Sequence, residues 1–154
     1  MNTSPERSLQ QLGIVLPSAP KPLGAYVPAV QVGNLLFLSG TLPLQDGVRK
    51  FSGRIGDDLS IEDARSAARL AALNALALAR QHLGSLDKVT RVVRLTVSLV
   101  TTSEFRDHAK VADGASELLA SVFGADKSST RMVSGVASLP AGVSVVTEVL
   151  LAVA

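Results

Sequence analysis

Two charged side chains near the C-terminus carry most of the chemical potential of this sequence: Arg131 and Glu148, both within Ser128 to Ala154. A guanidinium is a planar fork that meets a carboxylate in two parallel hydrogen bonds, a geometry lysine does not fix. Glu148 stands alone on one parity of a strand, with Ser144, Val146, Leu150 and Ala152, while Val143, Val145, Thr147, Val149, Leu151 and Val153 fill the other. A lone charge there needs a partner or a pocket. Arg131 opens the same segment and is expected either to bind an anion or to make a structural ion pair, with Glu148 or with a neighbouring subunit. The segment reads as a β-hairpin: a strand over 131–137, a turn through Leu139, Pro140, Ala141 and Gly142, and a strand over 143–153.

Composition excludes several other chemistries. The chain has no cysteine, so disulfides, thiolate catalysis and a Cys-ligated metal are ruled out. Its two histidines, His82 and His108, are far apart and read as surface residues at helix ends, so no metal site is expected. A net charge of +2 spread without Lys or Arg runs, with 3% aromatic residues, weighs against nucleic acid as a partner. No signal-peptide run or membrane span is evident, which points to a cytoplasmic protein with no membrane partner. A length of 154 residues suits one domain with its own core.

The elements that must position Arg131 and Glu148 follow from capping and periodicity. Ser4, Pro5 and Glu6 begin a short helix over 5–12, and three prolines between Pro17 and Pro22 force an extended continuation. Residues 1–22 therefore form an arm, and 23–154 a single domain. Strands are expected over 25–32, 35–38 and 48–51, with Gly33-Asn34 as a tight turn. Ser60 caps the main helix, which Gly84 ends. Ile61, Ala64, Ala68, Ala71, Ala75 and Leu78 draw an alanine-rich stripe suited to close packing on a sheet. A strand over 91–101 and a helix over 107–123 follow, with Gly114 as an internal weak point. The order implies an α+β layer architecture, a mixed sheet with two helices on one face. The second face is expected to be buried by other copies of the chain.

Gly24-Ala25-Tyr26-Val27-Pro28, then Val32 to Gly40 (VGNLLFLSG), then Arg131 followed by Val136-Ala137-Ser138-Leu139-Pro140 and an acidic strand, resemble the YjgF/Rid family. This is the reactive intermediate deaminase family, also called the L-PSP endoribonuclease family. The resemblance runs from about Pro22 to the C-terminus and suggests a longer, divergent branch. It implies a chorismate-mutase-like fold that forms a homotrimer through the open face of the sheet, with clefts between subunits. It further implies that Arg131 binds the carboxylate of a 2-imino acid, whose hydrolysis gives a 2-keto acid and ammonia, and that Tyr26 and the backbone near Ser39 and Gly40 shape the cleft. The water-positioning glutamate of the archetype corresponds to Val146, which can neither accept nor hold a proton. Val133 replaces an archetypal cysteine, and Asp113 stands where an asparagine is usual. Glu148, two residues past Val146, is displaced by about 6.5 to 7 Å along the strand.

Three functions are therefore weighed. The first is a hydrolase of reactive imines or enamines, with Arg131 as anchor and Glu148 or backbone groups polarising water. The second is a non-catalytic trimeric module that binds a small carboxylate. The third is a ribonuclease, implied only by the older family label. RNA cleavage would want a His pair or a metal and a basic channel, neither of which the sequence offers, and no cofactor is expected. The substrate-binding set is Arg131, Tyr26, Ser39, Gly40, Val133, Val146 and Asp113.

Overall fold

Ser4, Pro5 and Glu6 start α1 (Pro5–Gln11) as their types require: the Ser4 hydroxyl accepts from the Arg7 amide, and proline occupies the first turn. The computed structural model describes residues 3–154, so the first two residues of the expected arm lie outside the described residues. Glu6 fixes the arm to the body. It takes two hydrogen bonds from Arg80, at 2.6 and 3.1 Å, and one from the Leu86 amide at 2.9 Å. Leu9 follows into the core.

Strands β1 (Ala29–Val32) and β2 (Leu35–Leu38) form the hairpin signalled by Gly33-Asn34, with Gly33 at φ +58°. Residues 25–28 lie outside β1, which begins beyond Pro28 because proline cannot donate to a ladder. A small separate ribbon, β3 (Leu44–Gln45) and β4 (Val48–Arg49), follows. Helix α2 (Ile61–Leu83) is capped by the Ser60 hydroxyl and ends at Gly84 in the left-handed region. Strand β5 (Val89–Val100), helix α3 (His108–Phe123) and strands β6 (Thr130–Val136) and β7 (Val145–Val153) complete the chain.

The sheet order is β1-β2-β7-β5-β6, parallel only between β5 and β6. The expected β6–β7 hairpin is therefore incorrect. The α3 crossover lays β6 parallel beside β5, and β7 returns antiparallel along β5's other edge, leaving the 12-residue β5 between them. Leu95, Val97 and Leu99 of β5 are fully buried, and β7 buries Val145, Thr147, Val149, Leu151 and Val153 on the same side. Helices α2 and α3 cover that face. Buried polar groups there are paired: Thr41 Oγ1 bonds Ala71 O and Thr147 Oγ1, and Asn74 Nδ2 bonds the carbonyls of Leu42 and Leu44.

The other face carries Val30 and Phe37, paired across β1 and β2, with Leu150 beside Phe37 and with Met132 on β6. Val30, Val32, Phe37 and Met132 are all exposed. Gly114 is not a weak point of α3. A Cβ there would lie 2.3 Å from the Arg65 carbonyl oxygen, so glycine marks the closest approach of α2 and α3.

Candidate functional site

Register decides which side chains can meet. Leu95 is opposite both Arg131 and Val149, whereas Thr96 is opposite both Met132 and Glu148. Directly paired residues project from the same side of a sheet. Arg131 therefore lies on the helix side and Glu148 on the open side. The alternative of an Arg131–Glu148 pair is excluded by this geometry, and Glu148 is exposed with no hydrogen-bond partner among the described residues.

The partner of Arg131 is Asp113. Its Nη1 donates to Asp113 Oδ1 at 2.7 Å and to Ser116 Oγ at 3.0 Å, both on α3. Its Nη2 reaches the Ala109 carbonyl only at 3.5 Å, and Nε has no partner among the described residues. Nε and one N–H of Nη2 remain uncommitted. The pair is partly open to solvent, with side-chain exposures of 25% for Arg131 and 45% for Asp113, so it orders the guanidinium without adding much stability. Arg131 lines a pocket of about 170 Å³ together with Ser116, Lys127, Ser128 and Ser129, floored by Val92 and Leu119. Arg91 Nη2 donates to the Ser128 carbonyl at 3.0 Å and holds the loop in place. Val133, two residues along β6 on the same side, packs against the core.

The remaining candidates gather elsewhere. Tyr26, Ser39 and Gly40 line one small pocket under the arm. The Ser39 hydroxyl donates to Val27 O at 2.7 Å, and Tyr26 Oη accepts from the Leu23 amide at 3.1 Å. A Cβ on Gly40 would lie 3.0 Å from Val146 Cγ1, so Val146 sits against Gly40. These four residues and the Arg131 group form two separate clusters. Three strand spacings separate β2 from β6, about 14 Å. Val146 also lies on the open side of the sheet, opposite Ser98 and Ser134. Within one chain the two clusters do not converge.

Sequence reasoning missed Ser116, Lys127, Ser128 and Ser129. The signal available for Ser116 was its spacing of three from Asp113 on one helix, which places both on one face. Small hydroxyl residues in a loop carry no comparable pattern. No group of three or more His, Asp or Glu side chains positioned for a metal occurs among the described residues, and no described helix is long and apolar enough to cross a membrane.

The family described as "YjgF/chorismate_mutase-like, putative endoribonuclease" matches residues 6–152. The protein TCP17 of Trypanosoma cruzi is 40% identical over 144 residues, covering 93% of this chain and 90% of that protein. Among solved structures, Atu1372 of Agrobacterium tumefaciens, of unknown function, is 36% identical with a TM-score of 0.90, over 97% of this chain and 92% of its own. A protein of Shewanella oneidensis, also described as an endoribonuclease of that provisional kind, is 31% identical with a TM-score of 0.94, over 98% and 100%. The α+β arrangement is thus that of chorismate-mutase-like proteins.

Proposed function

The chain belongs to the YjgF/chorismate-mutase-like family, and we propose that it hydrolyses small 2-imino or enamino acids at a cleft completed by a second subunit. The observation that carries this reading is Arg131: Nη1 is tethered by Asp113 and Ser116 and Nη2 reaches Ala109 O at 3.5 Å, Nε and one N–H of Nη2 are uncommitted, and the residue lines a pocket of about 170 Å³. A substrate carboxylate docks on that fork in two charge-assisted hydrogen bonds, and Lys127 adds a second positive charge to the pocket wall. Water adds across the C=N bond, and collapse of the adduct gives the 2-keto acid and ammonia.

Asp113 takes the water-holding role. Glu148 lies on the opposite face of the sheet from Arg131, and Val146 offers no polar atom. Asp113 is the one carboxylate bonded to Arg131 among the described residues, and only its Oδ1 is engaged. The half-site of Tyr26, Ser39, Gly40 and Val146 comes from the neighbouring copy in a homotrimer, in which residues 23–154 act as the domain and 1–22 as its arm. Val146 supports one rival, a trimeric module that binds a small carboxylate without turning it over. RNA cleavage draws least on this geometry, because His82 bonds Gln31 at the end of α2 while His108 starts α3.

The test is the decay of 2-aminoacrylate and bulkier 2-imino acids, generated by a dehydratase or an amino-acid oxidase. Wild type is expected to accelerate decay, Arg131→Ala to lose the effect, and Asp113→Asn to lower turnover by about tenfold or more. No acceleration, with carboxylates still raising the melting temperature, would replace the hydrolase with the binding module.

A further inference from the structure

A second groove, of about 430 Å³, lies at the far end of β6, where β5 and β6 both finish. Arg54, Arg106, His108, Thr101, Thr102 and Gly135 line it, with no carboxylate among the lining residues. Its two guanidiniums are fixed by neutral groups. Arg54 Nη1 donates to Thr101 O at 2.8 Å and Nη2 to Ala137 O at 3.4 Å, while Arg106 Nη1 donates to the carbonyls of Ser103 and Phe105 at 2.7 and 2.9 Å. Carbonyl tethers order an arginine without cancelling its charge. Among the described residues no nearby acid pairs with either guanidinium: Asp58 accepts from the Arg54 amide, Asp107 pairs with Lys110, and Glu104 accepts from the Ser103 hydroxyl.

The floor of the groove is shaped by an absence of side chain. A Cβ on residue 135 would lie 2.9 Å from both His108 Nε2 and Thr101 Oγ1, so glycine lets an imidazole nitrogen and a hydroxyl converge on one point. His108 is held there edge-on by Phe105, with ring centroids 5.1 Å apart. Donors thus approach from the loop before α2, from the loop before α3 and from the end of β5. A planar carboxylate is satisfied by one fork, as at Arg131. Donors from several directions with two unneutralised cations suit a tetrahedral dianion.

We propose that this groove is a second anion site, which takes a phosphate group, free or as the phosphate monoester of a small metabolite. It is separate from the Arg131 pocket: the two share no lining residue, and Arg131 and Gly135 are four residues apart on β6, about 13 Å.

The experiment is calorimetric titration of the full chain with inorganic phosphate, and in parallel with acetate and a simple phosphate monoester. Saturable phosphate binding is expected, weakened about tenfold or more in Arg106→Gln and in His108→Gln, each with wild-type melting temperature, and preserved in Arg131→Ala. Gly135→Ala, which fills the floor, should also weaken it. Tighter binding of the monoester than of free phosphate would identify an esterified ligand, and equal binding a free one. Absence of saturable phosphate binding to wild type would overturn the proposal. So would acetate binding as tight as phosphate, or phosphate binding that disappears with Arg131 and persists in the groove variants. The imine assay reads the other pocket, so failure of either proposal is visible without the other.

Discussion

At the scale of single residues, the decisive fact is that Arg131 and Glu148 project from opposite sides of the sheet. Glu148 therefore cannot reach Arg131 within one chain, and Val146 rather than Glu148 packs against Gly40, so Glu148→Gln should leave imine turnover unaltered, whereas Val146→Glu should raise it. Val146 sits against Gly40 on the half-site expected to face the neighbouring Arg131, and a carboxylate there adds a general acid/base. Such groups contribute about 10² to 10⁴-fold, so a gain of about tenfold in the imine-decay assay is the expected outcome even with imperfect geometry. An unchanged rate in Val146→Glu, with Glu148→Gln inactive, would reverse these assignments. Arg131 stands out by its motif, because arginine at the head of a strand before a Leu-Pro turn is a local pattern. Its face was not legible, since that depends on β5, thirty-odd residues upstream in the chain, lying between β6 and β7.

At the scale of elements, period-two alternation made β7 readable: its expected core parity is the one the structure buries. The capped ends of α1 and α2 were readable for the same local reason. Strand neighbours were not, because adjacency in sequence favours a hairpin and only the α3 crossover dictates otherwise. Gly114 was misjudged on propensity alone, since sequence does not reveal what passes within 2.3 Å of its absent Cβ. Gly114→Ala should thus destabilise rather than strengthen α3. Helix propensity would gain about 1 kcal/mol, but the rigid Arg65 carbonyl must move, and overpacking of this kind costs about 1–3 kcal/mol, occasionally more. Urea unfolding should show a net loss, and a gain would mean that the two helices separate easily. The arm gives a second case. Glu6→Ala removes three hydrogen bonds from Arg80 and Leu86 and should lower stability by about 1–2 kcal/mol in the same assay.

At the scale of the whole molecule, the open face of the sheet and the two proposed half-sites both bear on how copies of the chain pack. Val30, Val32 and Phe37 form an exposed apolar patch at the β1–β2 end of that face, with Met132 exposed at its β6 end, and exposed apolar patches mark interfaces. The Arg131 pocket and the Gly40 half-site cannot close on each other within one chain. If copies of the chain bury that face in a cyclic trimer that also sets the β6 edge of one subunit beside the next, each cleft takes Arg131 from one subunit and Gly40 with Tyr26 from the next. Phe37→Glu should then yield monomers by light scattering and lose imine hydrolysis without touching either half-site. A stricter test uses complementation. Arg131→Ala disables one half-site and Gly40→Val the other, so each homotrimer should be inactive. Subunits unfolded, mixed in equal amounts and refolded assort at random, and about a quarter of the clefts then combine an intact Arg131 with an intact Gly40. Recovery of about a quarter of wild-type activity would place the site between subunits. Mixed trimers of the correct mass with no activity would place it within a single chain, and the half-sites would lose their joint role.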